Sequence, residues 1–370
     1  MNGSMRVALL LAVALATLPS AAQQLSAPAT ASASETTDWR ESSPAEQGMD
    51  GATLDRLRRH LDGDAMPGVR SVLVVRHDRL VFEYARRDVK RDDLHHLNSA
   101  TKSVVSALVG IALERGAFTS LDQKVVDVLP EAIAPGVDPR AKEITVRHLL
   151  TMTSGFAWDE KARDACRGAF KGDCARFDDG GDPTAFALRR PFAHAPGEVF
   201  NYDSPSVNLL ALALARATKQ PLLSFAQEAL GRELGITRLR WATDPQGNFL
   251  GARGLQATAR DLAKFGNLFL RGGAWQGRQL VPAGYVDAAT RKQTGGGWPW
   301  PAWAQYGYLW WVIPDRAGGP PSYAANGFGG QYVWVMPAQD AVIVITANPF
   351  EPNDTSRVAL EYIIPAFGRP

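Results

Sequence analysis

Ser99 and Lys102 are the residues of this chain whose types and spacing best suit chemistry. Residues three apart are neighbours on a helix, so the hydroxyl and the amine would lie side by side. The run from Val104 to Leu113 is apolar on nearly every side and stops before Gly116, which predicts a buried helix. The helix dipole and partial desolvation would lower the pKa of the lysine. The pattern therefore predicts a serine nucleophile with a lysine base.

A purely structural role for this pair is the alternative. Ser99 would then be an N-cap residue, and Lys102 a solvated side chain of the first turn. An S-x-x-K spacing occurs often by chance, so the catalytic interpretation depends on the fully apolar helix that follows it.

Other hydrolytic mechanisms fit the sequence less well. It contains no G-x-S-x-G elbow, and no histidine follows His194 to complete an α/β-hydrolase triad. It contains no H-E-x-x-H motif and no Cys/His metal set. The adjacent His95 and His96 cannot easily converge on one metal, so we expect them to be loop or packing residues. We predict neither a metal nor an organic cofactor.

The chain around this pair has 370 residues, of which 45% are hydrophobic, enough for a large core. Its formal net charge is +2, and it has no basic stripe. This argues against a nucleic acid and leaves a small molecule as the expected partner.

The first residues have the pattern of a secretory signal. Arg6 precedes an apolar run from Val7 to Leu18, and small residues follow up to Ala22. The run is too short for a comfortable membrane span. We expect a signal peptide at 1–22, a disordered leader at 23–37 and a secreted or periplasmic mature protein with no stable membrane span.

Export makes the two cysteines informative. Cys166 and Cys174 lie close together in a polar loop that runs from Trp158 to Pro196. In an oxidising compartment a structural disulfide between them is expected, and two unpaired thiols are the alternative. A loop of this length tends to shape a binding site.

The remaining patterns predict strands at both ends of the chain with helices between. The predicted strands are Val69 to Arg76, Leu80 to Tyr84, Tyr308 to Ile313, Gln331 to Met336 and Ala341 to Thr346. The predicted helices are Asp50 to Leu61, Ile144 to Leu150, Val207 to Ala217, Leu222 to Leu234, Ala259 to Arg271 and Thr355 to Ile364. We therefore expect an α+β sandwich over 38–370, with an antiparallel sheet from about 38–116 and 272–370 and a mainly helical insertion at about 117–271.

Several spaced motifs give the sequence a family resemblance. S-A-T-K begins at Ser99, Y-D-S begins at Tyr202, and a glycine-rich turn runs from Ala325 to Gly330. Together with L-L-T-M-T-S-G-F and P-G-E-V-F-N-Y, these resemble the serine hydrolases of the class C β-lactamase, DD-peptidase and esterase superfamily, from about Asp38 onward. W-D-E at 158–160, F-N-Y-D-S and G-F-G-G-Q are most similar to the 6-aminohexanoate-dimer hydrolase branch, whose members cleave short amides and esters.

The resemblance implies roles for individual residues. Ser99 would form the acyl-enzyme, while Lys102 and Tyr202 share the proton as general base and acid. The backbone N–H groups of Ser99 and Phe328 would bind the oxyanion. Asn326 and Gly327 would lie beside the substrate in the same turn, and Ser204 would contact Lys102 or the substrate.

One departure from the superfamily narrows the expected substrate. Ala325 stands where relatives have the lysine or histidine of the third motif, so a cation that would attract a substrate carboxylate is missing. Strong β-lactamase activity is therefore not expected. The alternatives are a D-alanyl carboxypeptidase or weak β-lactamase, and a catalytically silent penicillin-binding or sensing domain.

A cluster of tryptophans lies near the third motif. We expect Trp310 and Trp311 to be core residues. Trp298, Trp300 and Trp303 lie in a loop rich in glycine and proline, and they could line an apolar substrate cleft.

Overall fold

An antiparallel sheet of eight strands is the centre of the fold. It is described by a computed structural model over residues 38–63, 65–161, 182–297, 300–315, 321–351 and 353–368. The strands are β1 (Val69–Arg76), β2 (Arg79–Ala85), β3 (His95–His96), β4 (Arg240–Trp241), β5 (Leu255–Ala257), β6 (Ala274–Trp275), β7 (Arg278–Gln279), β8 (Thr294–Gly295), β9 (Gln305–Tyr306), β10 (Trp311–Ile313), β11 (Ser322–Gly327), β12 (Gln331–Met336) and β13 (Ala341–Ala347). The main sheet has the order β2-β1-β13-β12-β11-β10-β9-β8, and β3-β5-β4 form a smaller sheet.

The helices cover both faces of the main sheet. They are α1 (Gly51–Asp62), α2 (Thr101–Glu114), α3 (Val146–Leu150), α4 (Pro183–Leu188), α5 (Ser204–Thr218), α6 (Leu222–Ala226), α7 (Ala259–Leu270), α8 (Ala283–Ala289), α9 (Thr355–Arg357) and α10 (Ile364–Ala366). Short 3-10 helices lie at Ala45–Gln47, Asn98–Ala100, Val125–Asp127, Pro130–Ile133, Pro139–Glu143 and Pro337–Gln339, and π-helical turns at Gln227–Gly231 and Val358–Ile363. No helix in these described ranges is long and apolar enough to span a membrane.

The two faces of the sheet belong to two apolar cores. In β1, Leu73 and Val75 point into the larger core, which includes α2, α5 and α7. Val72 and Val74 point into the smaller core, with α1 and the C-terminal helices. Successive side chains of a strand face opposite sides, so the continuous apolar run of β1 supplies both cores.

The predicted α+β fold with an antiparallel sheet and flanking helices is confirmed. The strands β1 and β2 and the helix α7 match their predicted positions closely, and the Thr258 side chain accepts the Asp261 N–H at the start of α7. The predicted helical insertion includes α7, whereas the structure packs this helix on β1, β12 and β13. Its apolar side is buried against the sheet because Gly266 lets it approach Val342 and Val333 closely.

The sequence patterns did not predict the strands β3 to β9 or β11, and β11 is the longest of these. The residues from Ser322 to Gly327 form β11 between β10 and β12, where only a glycine-rich turn was predicted. Its small residues, Ala324 and Ala325, do not give a β-branched pattern, and its position in the middle of the sheet depends on pairing with neighbours on both sides.

The start of the folded unit lies along the sheet edge formed by β2. Glu41 forms a parallel β-bridge with Leu80. The N–H of Leu80 donates to the Arg40 carbonyl, and the Leu80 carbonyl accepts from the Ser42 N–H. The buried guanidinium of Arg260, on α7, forms ion pairs with Asp38, Glu41 and Glu83. These contacts attach the segment 38–42 to both β2 and α7.

Candidate active site

Ser99 and Lys102 lie where the central helix begins. Ser99 is in the 3-10 turn Asn98–Ala100, which continues directly into α2. Lys102 Nζ donates to Ser99 Oγ over 2.8 Å. The lysine is 1% exposed, whereas the serine is only partly buried. The predicted neighbour relation is confirmed, and the lysine is almost fully removed from water while Ser99 is partly exposed.

A backbone carbonyl from a distant loop also holds the lysine. Lys102 Nζ donates to the carbonyl oxygen of Ala252 over 3.0 Å. The same nitrogen lies 4.9 Å from the centre of the Tyr202 ring. The amine therefore sits between the nucleophile, a fixed acceptor and the tyrosine, which suits a group that must take up and return a proton.

The end of β11 contacts the chain just before α2. A Cβ built on Gly327 would lie 2.0 Å from the carbonyl oxygen of Leu97, so only glycine allows this approach. Asn98 has a left-handed backbone with φ 49°, and its Nδ2 donates to the Phe328 carbonyl over 2.8 Å. The backbone around Phe328 is thereby fixed beside Ser99, where the family resemblance places the two oxyanion donors.

Aromatic packing fixes the ring of Tyr202. It stacks on Trp311 at 5.6 Å between ring centroids with a 21° interplanar angle, and it meets Tyr306 edge to face at 6.2 Å. Burial raises the pKa of Tyr306 well above its ordinary value, and the nearby Tyr202 and Glu160 raise it further. Tyr306 therefore stays protonated and neutral, and its ring packs against the Tyr202 ring.

A buried ion pair fixes the backbone of the same turn. The Nη1 and Nη2 atoms of the Arg190 guanidinium donate to Asp203, at 2.8 and 3.0 Å, and the two side chains are 5% and 0% exposed. Asp203 is the N-cap of α5 and accepts from the Ser206 N–H, while Ser154 Oγ donates to its second oxygen. Each oxygen of this buried carboxylate has at least two donors, which is what a buried charge requires.

Ser204 and Glu160 form the other side of this turn. The Ser204 hydroxyl donates to Glu160 Oε1 over 2.7 Å, and the Ser204 N–H donates to Oε2 over 3.2 Å. The indole N–H of Trp158 also donates to this carboxylate. Ser204 was predicted to contact Lys102 or the substrate, whereas the structure gives its hydroxyl a buried carboxylate as acceptor.

The sequence analysis missed the role of Glu160 and Arg190. The W-D-E motif indicates only the family branch, although its acidic residue, two positions after the tryptophan, is the acceptor for Ser204 and Trp158. Arg190 carries no local signal, because its partner Asp203 lies on another element.

Asn326 lies on the wrong face of the sheet for its predicted role. It pairs with Tyr332 across β11 and β12, and its side chain hydrogen-bonds Tyr332 on the side of the smaller core. The alternating neighbour Ala325 faces the larger core, with the site, and is buried. The structure thus brings Gly327 and Phe328 to Ser99 through their backbone, but it does not bring the Asn326 side chain there.

The remaining candidate residues are the tryptophans and the two cysteines. Trp310 and Trp311 are buried core residues, as predicted. Trp300 is half-buried and stacks on Trp311, whereas Trp303 is exposed. Trp298, Cys166 and Cys174 lie outside the described residues, and so do the predicted signal peptide and leader.

The histidines show no metal-binding arrangement. His95 is buried on β3, and this burial lowers its pKa to about 4, which suits a neutral packing residue. Among the residues that the structure describes, no group of histidine, cysteine and acidic side chains could hold a metal ion.

The fold and the serine, lysine and tyrosine cluster define a serine hydrolase. The chain belongs to the Beta-lactamase family, whose model matches residues 54–366. It is 27% identical to the 6-aminohexanoate-dimer hydrolase of Paenarthrobacter ureafaciens over 295 residues, which cover 76% of this chain and 73% of that protein. The predicted superfamily and branch are confirmed.

One further relative and one solved structure extend the comparison. Esterase EstB of Burkholderia gladioli is 30% identical over 184 residues, which cover 44% of this chain and 44% of that esterase. The solved structure of EstCE1, a hydrolase with promiscuous acyltransferase activity, matches with a TM-score of 0.70 at 18% identity and covers 88% of this chain and 100% of that one. This last likeness shows the shared fold.

Proposed function

We propose that this protein is an exported serine hydrolase that cleaves a small, uncharged ester or amide through an acyl-enzyme on Ser99. The observation that carries the proposal is the 2.8 Å hydrogen bond between Lys102 Nζ and Ser99 Oγ at the start of a buried helix. A nucleophile and a base within hydrogen-bond reach, with the base held by further groups, is the arrangement that covalent hydrolysis needs.

In the acylation step Ser99 Oγ attacks the carbonyl carbon, and its proton passes to Lys102. The negative charge on the carbonyl oxygen is bound by backbone N–H groups of Ser99 and Phe328. Lys102 and Tyr202 together return the proton to the leaving group, whose bond to carbon then breaks. Water then attacks the acyl carbon and gives its proton to the same pair of residues; the bond from carbon to Ser99 Oγ breaks, the serine takes a proton back, and the acid is released.

Two observations bear on the substrate class. Two relatives are named a 6-aminohexanoate-dimer hydrolase and an esterase, which supports an amide or ester as the bond that is cleaved. The position facing the site from β11 is Ala325, a buried residue without charge. A substrate carboxylate would find no cation there, so an ordinary ester or amide is a better substrate than a β-lactam or a D-alanyl peptide.

The test is hydrolysis of p-nitrophenyl butyrate by the purified protein, with intact mass recorded during turnover. We expect release of p-nitrophenolate and a transient butyryl adduct that Ser99→Ala does not form. Ser103→Ala is the matched control, because this serine lies on the same helix but donates to the Leu309 carbonyl. An inert wild-type protein that never acylates would leave the binding or sensing domain as the better description.

The substrate class needs a second comparison under the same conditions. A panel of short amides, D-alanyl peptides and a chromogenic cephalosporin should give the largest kcat/KM for neutral esters or amides. A larger kcat/KM for the cephalosporin or the D-alanyl peptides would reject the proposed substrate class and retain the acyl-enzyme.

Export and the disulfide are part of the same proposal. The support for export is the sequence pattern of residues 1–22, and oxidation of Cys166 and Cys174 follows from an oxidising compartment. N-terminal sequencing of the protein recovered from a periplasmic fraction should begin near Gln23. A thiol assay on that protein after denaturation should find no free thiol, and two free thiols would reject the bridge.

A further inference from the structure

A buried asparagine, Asn208, lies about one helical turn after the start of α5, the helix that follows Tyr202. Asn208 is on α5, four residues after Ser204 and therefore on the same face of the helix. It is 8% exposed. Its Oδ1 accepts the backbone N–H of Ala252 over 3.0 Å. An amide nitrogen cannot accept that bond, so the N–H of Ala252 fixes which way the asparagine side chain points.

Ala252 connects this asparagine to the lysine. Its N–H donates to Asn208 Oδ1, and its carbonyl accepts from Lys102 Nζ over 3.0 Å. Lys102 in turn donates to Ser99 Oγ. One alanine residue therefore joins α5 to the amine through its two backbone polar groups, in a part of the protein that excludes water.

The loop around Ala252 is pressed directly onto α5. A Cβ built on Gly251 would lie 2.4 Å from the carbonyl oxygen of Val207 and 2.5 Å from Cβ of Ala211. On the other side, the indole N–H of Trp241 donates to the Leu250 carbonyl over 2.9 Å. Packing thus fixes the position of the loop, and the bond to Asn208 sets the orientation of the peptide group before Ala252.

An asparagine at this position would lower the stability of the protein if its only role were packing. Its Nδ2 is buried and has no hydrogen-bond partner among the residues that the structure describes. A buried donor without a partner lowers stability, and an apolar side chain of similar size would avoid that loss. The neighbouring buried positions of α5, such as Leu209 and Leu212, are indeed apolar.

We propose that Asn208 is a positioning residue for the reaction at Ser99: it holds the Ala252 backbone so that the carbonyl aims the Lys102 amine at the serine hydroxyl. The proposal rests on the proposed function, because it assigns Lys102 as the base. Asn208 touches neither Ser99 nor the substrate site through any described hydrogen bond, so its effect should fall on the chemical step and not on substrate binding.

The experiment measures activation of Ser99 in a single turnover. An alkyl fluorophosphonate reacts once with a nucleophilic serine: the Oγ–P bond forms, the P–F bond breaks, fluoride leaves and the hydroxyl proton passes to the base. We expect Asn208→Leu to be labelled about tenfold more slowly than the wild type, and its kcat on p-nitrophenyl butyrate to fall by the same factor with KM unchanged. Asn208→Asp keeps the acceptor and should recover labelling to within about threefold of the wild type.

Asn267→Leu is the matched control. Asn267 is also a buried asparagine on a helix, with one side-chain bond to Asp78 and one unpartnered amide atom, but it lies on α7. It should lose a comparable amount of thermal stability and keep the wild-type labelling rate. If Asn208→Leu does not fold, Asn208→Ala provides the same loss of the acceptor at a helix-favouring position.

The outcomes separate this inference from the function on which it rests. If the wild type is never labelled at Ser99, the proposed function fails. If the wild type is labelled and the leucine or alanine variant is labelled equally fast, only the role of Asn208 is overturned. Equal slowing of the leucine and aspartate variants would also overturn it, because the acceptor would then be irrelevant.

Discussion

Two helix starts meet at the site, and they are built in opposite ways. The turn that leads into α2 carries Ser99 and has no side-chain cap. The start of α5 follows Tyr202 and is capped by Asp203. The Asp203 carboxylate forms an ion pair with Arg190 and accepts hydrogen bonds from the hydroxyls of Ser154 and Ser206. The nucleophile therefore lies at an open helix end, and the tyrosine at a closed one.

The difference corresponds to what each end must do. At the start of α2 the N–H groups of Ala100 and Thr101 bond to carbonyls of the 3-10 turn and not to a side chain. In the proposed mechanism this start also offers the Ser99 N–H to a negative charge. A capped start uses its first N–H groups to fix the chain. In the proposed mechanism Tyr202 moves a proton from a fixed ring position, whereas the backbone at Ser99 binds the oxyanion. The two kinds of helix start suit these different functions.

The largest expected effect is at the closed end. Asp203→Ala leaves the buried Arg190 guanidinium without its carboxylate, which should lower the free energy of unfolding by about 3–5 kcal/mol. Urea unfolding followed by circular dichroism measures this. Asp122→Ala is the matched control, since Asp122 also binds an arginine with both oxygens but is exposed, and it should cost at most about 1 kcal/mol. Equal losses in the two variants would contradict the assignment of the α5 start as a buried, closed end.

Next in size are the effects at Lys102 and Tyr202, one residue from each end. Lys102→Ala and Tyr202→Phe should each lower kcat by about a hundredfold or more, because each removes a group that moves a proton in the proposed mechanism. Steady-state hydrolysis of p-nitrophenyl butyrate gives the values. Lys264→Ala is the control for loss of a buried lysine, since this residue pairs with Asp261 on α7. A variant that keeps the wild-type kcat would remove its residue from the mechanism.

The smallest effect concerns the backbone of the open end. Asn98 has φ 49° and donates to the Phe328 carbonyl. Asn98→Gly loses only the hydrogen bond, whereas Asn98→Ala must also hold a left-handed conformation, so the alanine variant should be less stable by about 1 kcal/mol. Thermal unfolding of the two variants gives the comparison. An alanine variant as stable as the glycine variant would show that the turn can relax.

The residues at the start of α2 were easier to predict from sequence than the partners at the start of α5. Ser99 and Lys102 are three residues apart and precede a long apolar helix, so local spacing carries the signal. The partners of the closed end lie apart in sequence: Arg190 is thirteen residues from Asp203, and Glu160 is 44 residues from Ser204. Contacts of this kind depend on how the elements pack, and a single sequence does not contain that information.

The same limit applies to the fold. Periodic apolar runs predicted β1, α7 and β13 well, because each buries a regular face. They did not predict β11, whose place in the sheet is set by its neighbours, or the side of the sheet that Asn326 faces. A shift of one residue in a strand reverses every side chain, and only the observed pairing with Tyr332 fixes it.

The segment that lies along β2 has a consequence for the behaviour of the protein in solution. An uncovered edge strand offers free N–H and C=O groups to other chains and promotes aggregation. Here both backbone groups of Leu80 are bonded to the segment 40–42, which the buried Arg260 holds through Asp38 and Glu41. Trimming the chain past residue 42 should therefore expose this edge and favour association between the sheets of different molecules.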